Sequence, residues 1–457
     1  MPLHVAVIGG GASGMSAASR VKRLLRDRAE VVVFEKGRWV SFALCGAPYY
    51  ISCEVGSLEE LIHYPLSEFI EKRGIRVSLE TYVYDIEAED RVIHWQRRDG
   101  SKGTYEYDYL VLATGAEPIV PTAWMQYENV FAIHSLDDAE RIRQYLARSH
   151  VRRVAIIGLG YIGYELAESV KKLGKEVVII EACNSPLPKA LDEDMAGYVT
   201  DHLRTQGVHL VLGRKVECVE GRDCIASEVM LEGGEHIKAD ALIVAMGIKP
   251  RVELAKRAGL KLGKTGAIWV DEKLRTSRKE IYAVGDVVET VDLVTGERTW
   301  APFAPIANKM GYVAGSNIAG HDMIFPGVVR TSVTCAFGLV VATTGLTERE
   351  AVEKGYDVVS VMIKSRTKPR YISEDTRIWI KIVADRSTGK LLGAQAIGDE
   401  SAFWRVNIVA TLLMKGGKVE DLFYCDWGYM PLLSTAWDPL VIAARRLFHL
   451  LAPKSSR

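Results

Sequence analysis

The sequence predicts an α/β protein in which one structural unit occurs twice and a third region of different character follows. Three observations support this fold class. A strand, a glycine-rich turn, a helix and a second strand follow one another near the N-terminus and end at Glu35. The same order returns further along the chain and ends at Glu181. From about Phe325 the alternation stops, and an α+β region is expected instead.

Length and composition limit the range of functions. The 457 residues are enough for three domains of ordinary size, and 48% hydrophobic with 25% charged residues is typical of globular proteins. The 58 basic residues balance 58 acidic ones, which argues against bulk binding to nucleic acid or to an anionic membrane. No run approaches the roughly 18 apolar residues of a membrane helix, and no cleavable leader is expected.

The cysteines indicate a reducing compartment. The chain has 7 of them, and none forms a Cys-x-x-Cys pair. An odd number without such a pair argues against both a disulfide framework and a zinc site. We therefore expect a cytoplasmic protein without a metal.

The first unit has the pattern of a dinucleotide-binding site. His4–Ile8 is predicted to be a buried parallel strand, and a helix follows the glycines to about Leu25. Glu30–Phe34 is the next strand, and the acid at its end, Glu35, can accept hydrogen bonds from ribose hydroxyls. In such a turn the pyrophosphate lies against the helix N-terminus. The turn residues predicted to bind the cofactor are Gly9, Gly11, Ala12, Ser13 and Gly14.

The second unit repeats the first. Val154–Ile157 is predicted to be a strand, a helix extends to about Leu173, and Val177–Ile180 leads to Glu181. Such a repetition predicts two nucleotides, one in each unit. The second set of turn residues is Gly158, Gly160, Tyr161, Ile162 and Gly163.

Two further strands end at similar turns. Asp108–Ala113 runs into Thr114-Gly115, and Asp240–Ala245 runs into Met246-Gly247. Each turn is predicted to close one nucleotide crevice, because the carboxyl ends of parallel strands meet at one edge of a sheet. The domains are accordingly predicted at residues 1–117 with 247–324, at 118–246 and at 325–457.

An acid ends another strand of the first unit. Glu280–Gly285 is predicted to be a strand that ends at Asp286, and Gly311–Ala319 to be a helix of the same domain. A carboxylate at this place faces the ligand crevice and suits the hydroxyls of a polyol. The alternative is that Asp286 caps a helix N-terminus.

The redox chemistry is predicted on the loop Ser41–Tyr50. Cys45 there lies before a predicted helix, whose backbone N–H groups and dipole favour the thiolate, the nucleophilic form. Gly46 lets the backbone approach a flat ligand, and Pro48 suits the first helical turn. The alternative is that Cys45 is a small buried apolar residue.

The last region is predicted to be an α+β domain. Its expected strands are Val358–Ile363, Arg377–Ala384 and Leu391–Ile397, and its expected helices are Phe403–Lys415 and Pro439–Leu451. It carries no nucleotide pattern. A domain of this kind is a candidate for a subunit interface.

Taken together, these motifs resemble the flavoprotein disulfide reductases that bind two dinucleotides. The resemblance implies FAD in the first unit, NADH or NADPH in the second, and a C-terminal dimerisation domain. Because Cys45 has no partner four residues on, the loop resembles the branch that contains coenzyme A-disulfide reductase and NADH oxidase. It implies an enzyme that reduces coenzyme A disulfide or related small disulfides, persulfides or polysulfides, with coenzyme A carried on Cys45 as a mixed disulfide.

The resemblance also implies roles around the substrate. Arg20 and Arg23 lie three apart on one helical face and would meet the coenzyme A phosphates, or else form a solvated basic face. Ser41 matches a serine near the reactive sulfur. Tyr371 and Tyr429 resemble two tyrosines that reach the partner subunit's cysteine in a homodimer and assist a leaving thiolate, or else pack the interface. Leu44 departs from the family, where asparagine is common.

Further roles concern the cofactors. Lys36 would contact the nucleotide end of FAD, and Tyr161 would cover the flavin until nicotinamide binds. Glu165, one helical turn after Tyr161, would contact the nicotinamide or the flavin's lysine partner. Glu181 favours a ribose 2′-hydroxyl over a 2′-phosphate, so NADH is expected over NADPH.

Two other functions remain open at this stage. The first is an NADH oxidase that reduces dioxygen on the same scaffold. The second is a redox-signalling protein in which bound flavin reports NADH and Cys45 is inert.

Overall fold

Three five-stranded sheets organise the chain, two of them parallel and one antiparallel. The structure is a computed structural model that describes residues 1–374 and 376–451. The predicted last domain, 325–457, therefore includes Asp375 and residues 452–457, which lie outside the described residues. Strands and helices alternate along the first two sheets, as the α/β class requires.

The first sheet is parallel and apolar on both faces. Its middle strand is flanked directly by the second strand and by the strand that precedes the Thr114-Gly115 turn. The last four residues of this middle strand are buried on both faces, including Ala6 and Val7, which is the usual state of a parallel sheet covered on both faces. The strands in spatial order are Ile281–Ala283, Tyr109–Leu112, Leu3–Ile8, Ala29–Phe34 and Arg76–Ser78.

Two helices pack closely against each other beside this sheet. Ala12–Leu25 follows the first glycine turn, and Ala304–Ile318 lies across it. A Cβ atom on Gly311 would lie 2.2 Å from the carbonyl oxygen of Ser13. This glycine is therefore needed for the two backbones to approach each other.

The second sheet repeats the first. Its middle strand pairs with the strands that lead to Glu181 and to the Met246-Gly247 turn. Side chains on both faces are buried, among them Ile156 on one face and Ala155 on the other. The spatial order is His209–Leu212, Glu176–Glu181, Arg153–Ile157, Ala241–Val244 and Val130–Phe131.

A short antiparallel ribbon joins the two units. Ala116–Pro118 pairs with Ile248–Pro250, so the chain leaves the first unit and returns to it at the same place. Smaller antiparallel sheets occupy the polar stretches in which the sequence analysis predicted no strands. They consist of Thr81–Glu87, Val92–Arg97 and Lys102–Glu106; of Val216–Arg222, Ile225–Leu231 and His236–Lys238; and of Thr290–Val291 with Arg298–Thr299.

The third sheet is antiparallel and carries helices on one side. The three predicted strands and two predicted helices are present within a few residues of their expected limits. Two strands were missed, Ser332–Ala336 and Leu339–Gly345. The strands in spatial order are Ser332–Ala336, Leu339–Gly345, Leu391–Gly398, Arg377–Asp385 and Val358–Arg366, and the covering helices are Ser401–Leu413, Val419–Tyr424 and Pro439–Leu451.

A buried ionic network fixes the third sheet to the second unit. Lys381, only 4% exposed, contacts Asp192, Asp194 and Glu348 at 3.2, 2.9 and 2.7 Å. The Asp192 carboxylate also accepts hydrogen bonds from two backbone N–H groups at the start of the helix Glu348–Glu353. A buried lysine needs such partners, because an unpaired charge in the interior costs several kcal/mol.

The remaining helices are short or cover the second unit. They are Ala47–Ile51, Leu136–Leu146, Tyr161–Lys172, Glu193–Thr205 and Glu253–Arg257. Within the described residues, no helix combines the length and the apolar character needed to cross a membrane.

Candidate active site

The first glycine turn has the geometry of a pyrophosphate cradle. Gly9 has a φ of 110°, which disfavours any other residue. A Cβ on Gly14 would lie 1.9 Å from the Gly9 carbonyl oxygen, so this glycine lets the helix meet the strand. A Cβ on Gly11 would meet no atom within 4 Å, so its face is open towards a ligand. Ala12 and Ser13 begin the helix.

The acid after the first unit is held by the turn. One Glu35 oxygen accepts a hydrogen bond from the Gly10 N–H at 2.7 Å and the other from the Gly37 N–H at 2.7 Å. Each oxygen retains a lone pair, which can accept from a ribose hydroxyl. Next to it, burial lowers the pKa of Lys36, and the charge of Arg251 lowers it further.

The second turn has the same construction. Gly158 has a φ of 105°, and a Cβ on Gly163 would lie 2.1 Å from the Gly158 carbonyl oxygen. Gly160 again faces open space. The Glu181 carboxylate accepts from the Leu159 N–H at 2.7 Å and from the Cys183 N–H at 2.9 Å.

The two crevice turns lie beside the joining ribbon. Gly115 and Gly247 have φ values of 68° and 116°, so each turn depends on glycine. The Thr114 hydroxyl donates to the Arg251 carbonyl oxygen at 2.9 Å, which connects the first turn to the returning chain. The two turns lie at opposite ends of the ribbon, where the Gly115 carbonyl accepts from the Arg251 N–H at 2.9 Å and the Gly247 carbonyl from the Ile119 N–H at 2.9 Å.

The Asp286 side chain is suited to accept hydrogen bonds from the hydroxyls of a polyol. The residue lies in the short helix Gly285–Val287, and its backbone carbonyl accepts from the Trp300 indole at 2.7 Å. Burial raises the pKa of its carboxyl group to about 6. Within the described part of the chain, its carboxylate has no hydrogen-bond donor, and it does not cap a helix. A half-buried carboxylate that faces the cleft without a donor fits hydroxyls supplied by a ligand.

One cleft of about 3840 Å³ connects these groups. Glu35, Asp286, Cys45 and Glu181 all line it. Of the sequence-predicted site residues, Gly14 and Gly163 are outside its walls, because they pack the helices on the strands, and so are Tyr371 and Tyr429. The others that line it are Gly9, Gly11, Ala12, Ser13, Arg20, Arg23, Lys36, Ser41, Thr114, Gly115, Gly158, Gly160, Tyr161, Ile162, Glu165 and Gly247.

Cys45 lies at the middle of the cleft wall. It belongs to the short helix Leu44–Gly46, which continues into Ala47–Ile51 with Pro48 in the first turn, as predicted. Ser41 adopts a φ of 55°, and its N–H donates to the Gly10 carbonyl oxygen at 3.0 Å. The cysteine loop is therefore fixed directly to the first glycine turn. The sulfur is a free thiol that is accessible from the cleft, so it is not a buried apolar residue.

The local environment of Cys45 differs from the prediction. Desolvation by the cleft walls raises the pKa of the thiol, and the charges of Glu165 and Asp286 raise it further. A backbone hydrogen bond at Cys45 lowers its pKa, as expected, but desolvation and the two carboxylates outweigh this contribution. The helix Ala47–Ile51 has only 5 residues, so its dipole adds little.

The role expected for Gly46 also differs. Its φ is −83°, so its backbone is not unusual. A Cβ at this position would lie 2.3 Å from a methyl group of Leu61. The glycine therefore makes room for the neighbouring segment, which also bonds to the cysteine loop through the Ala43 N–H and the Leu61 carbonyl at 2.8 Å.

Two residues of the second turn contact the third sheet. The Tyr161 hydroxyl lies 2.5 Å from the Ser332 hydroxyl. Glu165 accepts a hydrogen bond from the Thr334 hydroxyl at 2.7 Å, and burial raises the pKa of its carboxyl group. The third sheet therefore orients both side chains where they face the cleft.

The matches to known proteins agree with this arrangement. Residues 3–311 match the family model of the pyridine nucleotide-disulphide oxidoreductases, and residues 331–440 match the dimerisation domain of that family. The chain belongs to the pyridine nucleotide-disulphide oxidoreductases. It is therefore an oxidoreductase that uses FAD and a nicotinamide nucleotide, and the dimerisation domain indicates a homodimer. The family resemblance and the fold class inferred from the sequence are confirmed.

Individual relatives align with nearly the whole length of this oxidoreductase. A Pyrococcus furiosus protein named NAD(P)H sulfur oxidoreductase (CoA-dependent) is 46% identical over 444 residues, covering 97% of this chain and 98% of the relative. A Methanocaldococcus jannaschii protein named NADH oxidase is 34% identical over 453 residues, covering 99% and 100%. The solved structure of a NAD-dependent persulfide reductase from A. fulgidus superposes with a TM-score of 0.94 at 37% identity, covering 98% of this chain and 83% of that chain.

The predicted substrate residues of the oxidoreductase lie on one side of the cleft. The Arg20 Nε donates to the Ser316 hydroxyl at 2.8 Å, and the guanidinium lies 4.1 Å from the centre of the Tyr312 ring. Arg23 is exposed. Arg20 is thus held in place, whereas Arg23 is free to meet a ligand.

The two predicted tyrosines lie away from Cys45 of the same chain. Tyr371 is 74% exposed and Tyr429 is 52% exposed. The neighbouring Tyr429 hydroxyl raises the pKa of Tyr371. Within one chain they form an exposed pair, so the structure does not bring them to the sulfur.

Sequence reasoning missed part of the site. Ser332 and Thr334, which orient Tyr161 and Glu165, come from a strand that was not predicted. Arg214 and Lys215 line the cleft beside Glu181. The signal for these two was available, because they follow an edge strand that ends at the same side of the second sheet.

Proposed function

We propose that this oxidoreductase carries electrons from NAD(P)H through FAD to Cys45, which reduces coenzyme A disulfide or related small disulfides, persulfides or polysulfides. The observation that carries the proposal is the cleft itself. Both glycine turns and Cys45 line one continuous space. The printed names of the P. furiosus and A. fulgidus relatives, which mention CoA-dependent sulfur and persulfide reduction, support the substrate class.

We assign the cofactors by the fit of each crevice. Residues 1–117 and 247–324 would hold FAD, with Glu35 at the ribose, Lys36 beside the nucleotide end and Asp286 at the ribityl hydroxyls. Residues 118–246 would hold the nicotinamide nucleotide, with Glu181 at its ribose. When bound, FAD accepts hydride from the nicotinamide and supplies two electrons to the sulfur. Tyr161 would shield this place from water, and Glu165 would contact the nicotinamide end.

Cys45 would perform thiol–disulfide exchange. Two electrons break the S–S bond of a Cys45–coenzyme A mixed disulfide, which gives a Cys45 thiolate and one coenzyme A thiolate that takes a proton. The Cys45 thiolate then attacks a new disulfide, forms the mixed disulfide again and releases the second thiol. Because the pKa of Cys45 is raised, its thiolate is a strong nucleophile, and the attack should become faster as pH rises.

Coenzyme A would bind along the first helix. Arg23 and Arg20 are placed for its phosphates, since a guanidinium binds phosphate with two parallel hydrogen bonds. Ser41 lies between this helix and Cys45 on the cleft wall. The pantetheine arm would therefore run past Ser41 to the sulfur.

Residues 325–457 would form the subunit interface and complete the partner's site. The surface around the tyrosine pair exposes large apolar side chains, which need cover in an assembly. We assign Tyr371 and Tyr429 to the partner's cysteine, where their hydroxyls would donate to the departing thiolate. These apolar residues include Trp404, Tyr424, Met430, Leu432, Leu433 and Trp437.

We place the enzyme in the cytoplasm. All 7 cysteines are described and free, and several are exposed, including Cys53 and Cys183. Exposed thiols persist where glutathione and thioredoxin keep them reduced.

The test compares electron acceptors. Purified enzyme should oxidise NAD(P)H rapidly without oxygen when coenzyme A disulfide or polysulfide is added, and slowly in air without either. Cys45→Ser should lose at least about a thousandfold of this disulfide-dependent rate, since the nucleophile is removed, while FAD stays bound. Cys53→Ser is the matched control and should keep the rate. Undiminished turnover of Cys45→Ser would disprove the assignment.

Dioxygen reduction is the second candidate, supported by the M. jannaschii relative named NADH oxidase. This function would be favoured if NAD(P)H were oxidised faster in air alone than with coenzyme A disulfide or polysulfide. A signalling role, with slow turnover for every acceptor, would be indicated if Cys45→Ser and the native enzyme behaved alike.

The tyrosines require a separate test. Tyr429→Phe should slow thiol release by about tenfold, the scale of one lost acid–base hydrogen bond, without dissociating the dimer. An unchanged rate would show that this tyrosine only packs the interface.

A further inference from the structure

A small antiparallel sheet of the second unit has one face in the core and one face on the surface. Its strands are Val216–Arg222, Ile225–Leu231 and His236–Lys238. Val219 and Val229 point inwards and belong to the hydrophobic core beneath the sheet. Because successive side chains of a strand point to opposite faces, the residues next to these two valines lie on the outer face.

The outer face brings together three side chains that can bind a metal ion. Glu220 stands directly opposite Glu228 in the register of the first two strands. On the third strand, His236 is opposite Met230, which makes it a diagonal neighbour of Glu228. One donor atom from each of Glu220, Glu228 and His236 lies within 4.8 Å of the other two. Each strand thus directs one potential ligand to the same place.

A cysteine adds a fourth donor to this place. Cys218 is opposite Met230, so it lies on the same face as Glu220 and His236. Its thiol is free, and the thiol donates to the Glu220 carboxylate with 3.7 Å between Sγ and Oε1. We call Cys218, Glu220, Glu228 and His236 the outer-face cluster.

The spacing of the donor atoms suits a tetrahedral zinc ion. Zinc bonds of about 2.1 Å to nitrogen or oxygen and about 2.3 Å to sulfur place neighbouring ligand atoms about 3.4 Å apart for nitrogen and oxygen, and about 3.6 Å apart for sulfur and oxygen. The His236 Nδ1 lies 3.6 Å from the Glu228 Oε2. The Cys218 Sγ lies 3.7 Å from the Glu220 Oε1. Both pairs are therefore close to the separation that one shared ion requires.

The charges of the cluster also favour a cation. Two carboxylates that stand opposite each other on a sheet repel. In the part of the chain that the structure describes, Glu220 forms no ion pair, and Lys238, although opposite Glu228, does not pair with it. An imidazole and a thiol beside two carboxylates match zinc, whereas magnesium and calcium take oxygen ligands. A zinc ion would relieve the repulsion and occupy all four donors.

We infer that the outer-face cluster binds one zinc ion, which cross-links the three strands of this sheet. None of its four residues lines the cleft, so the site is separate from Cys45 and its role is structural. Four protein ligands leave no open position on the ion, as is usual for structural zinc. The ligands come from three strands and form no Cys-x-x-Cys motif, which is why the sequence analysis expected a protein without a metal.

The first experiment counts zinc on the holoenzyme. Cys45→Ser is the starting protein, because the accessible Cys45 thiol could bind zinc by itself. The protein is stripped with EDTA, mixed with zinc chloride and desalted, and its zinc content is measured by mass spectrometry. One zinc ion per chain is expected. Adding Glu228→Gln or His236→Ala should weaken zinc binding by at least about tenfold, because a ligand is lost.

Matched controls come from the same unit. His209 and Cys224 are exposed, and neither belongs to the outer-face cluster. His209→Ala and Cys224→Ser, each added to Cys45→Ser, should retain the zinc. Binding to exposed histidines or thiols in general would be reduced by these changes as well.

Two further readouts test the sulfur ligand and the cross-link. Cobalt(II) in place of zinc should give a thiolate-to-cobalt charge-transfer band in the difference spectrum, and Cys218→Ser should remove the band while Cys224→Ser keeps it. Zinc should raise the Tm of the Cys45→Ser protein by at least about 2 °C, because it binds only the folded sheet. His236→Ala should abolish this rise.

The outcomes decide the inference in either direction. A zinc content near zero, equal zinc retention by the ligand variants and the controls, or a cobalt band that persists in Cys218→Ser overturns it. Zinc that is retained by the controls and lost from Glu228→Gln and His236→Ala, with the cobalt band lost in Cys218→Ser, supports it. None of these measurements depends on the electron acceptor, so they test the zinc site independently of the proposed function.

Discussion

The two glycine turns share one backbone design but differ in what surrounds them. Gly9 and Gly158 have nearly the same φ, 110° and 105°, and both terminal acids accept two backbone N–H groups. The first turn continues with Gly10, where a Cβ would lie 2.5 Å from a methyl group of Val40. The second continues with Leu159, whose side chain is fully buried.

The surroundings indicate a different task for each turn. The first is closed by the cysteine loop, through the Ser41 N–H and the Gly10 carbonyl, and has Asp286 across the crevice. The second has the cationic residues Arg214 and Lys215 beside Glu181 on the cleft wall and carries Tyr161 where the first has Ala12. The turn provides only a place for a pyrophosphate. Its neighbours decide whether the dinucleotide is retained permanently or exchanged in each cycle.

The largest effect is expected from filling the third glycine of each turn. Gly14→Val should abolish FAD binding, because its Cβ would lie 1.9 Å from a carbonyl oxygen that cannot move without breaking the turn. Gly163→Val, with 2.1 Å, should leave FAD bound and weaken only the nicotinamide nucleotide. Flavin absorbance of the purified proteins and stopped-flow reduction measure the two effects. Loss of FAD from both variants would show that the two sites are not independent.

The next effect concerns Asp286, which has no counterpart at the second site. Its pKa of about 6 in the folded protein lies above the ordinary 3.8, so its ionisation opposes folding above pH 6 and has no effect below about pH 4. Over that interval Asp286 alone should lower the free energy of unfolding of FAD-free protein by about 3 kcal/mol as pH rises, while carboxyls with a lowered pKa, such as that of Asp192, act in the opposite direction. Asp286→Asn should remove this fall while weakening FAD binding. Denaturant unfolding of both proteins at pH 4 and pH 8 checks this prediction. An equal change in the free energy of unfolding between the two pH values for both proteins would contradict it.

The two acids that end the repeated units, Glu35 and Glu181, can be compared directly, and a smaller effect on cofactor binding is expected from changing either. Glu35→Gln and Glu181→Gln each leave one backbone N–H facing an amide NH₂ group, at a cost of about 1–3 kcal/mol. Glu35→Gln should therefore weaken FAD binding about tenfold or more, and Glu181→Gln should raise the KM for NADH by a similar factor. Calorimetry with FAD and steady-state kinetics give the two numbers. A lower FAD content in Glu181→Gln would contradict the assignment of the two acids to different nucleotides.

The smallest effect is expected from the hydroxyl of Tyr161. Tyr161→Phe removes its contact with Ser332, worth about 1 kcal/mol, and should lower Tm by roughly 2 °C or less. The ring stays, so flavin reduction by NADH should change by less than about threefold. Ser332→Ala should give the same shift, and the double variant should add little. Additive shifts in a thermal melt would mean that the two hydroxyls act separately.

The features that are local in sequence were predicted well. The glycines at positions 9, 11 and 14 and the acid at Glu35 follow from spacing and burial within one βαβ unit, and the repeat supplied Glu181 in the same way. Cys45 before Pro48 was recognisable because a loop, a cysteine and a helix start are neighbours in the chain. The strands and helices of the third region were found wherever apolar periodicity was strong.

The features that depend on distant segments were not predicted. The raised pKa of Cys45 comes first from desolvation by the cleft walls and then from Glu165 and Asp286, which lie far away in sequence. The glycine at 46 is explained by Leu61, and Arg349, on a helix of the third region, donates to the Pro188 carbonyl in the loop after Glu181. Hydrophobic periodicity and local motifs carry no information about such tertiary contacts, because these contacts depend on how whole helices and strands pack.

The ribbon between Ala116–Pro118 and Ile248–Pro250 has a practical consequence for engineering. Because the inserted stretch enters and leaves through paired strands, it can be exchanged with that of a relative by cutting at only two joints. Such a graft would have to bring its own counterparts of Asp192 and Asp194, or else buried Lys381 would keep only Glu348 as a counter-ion.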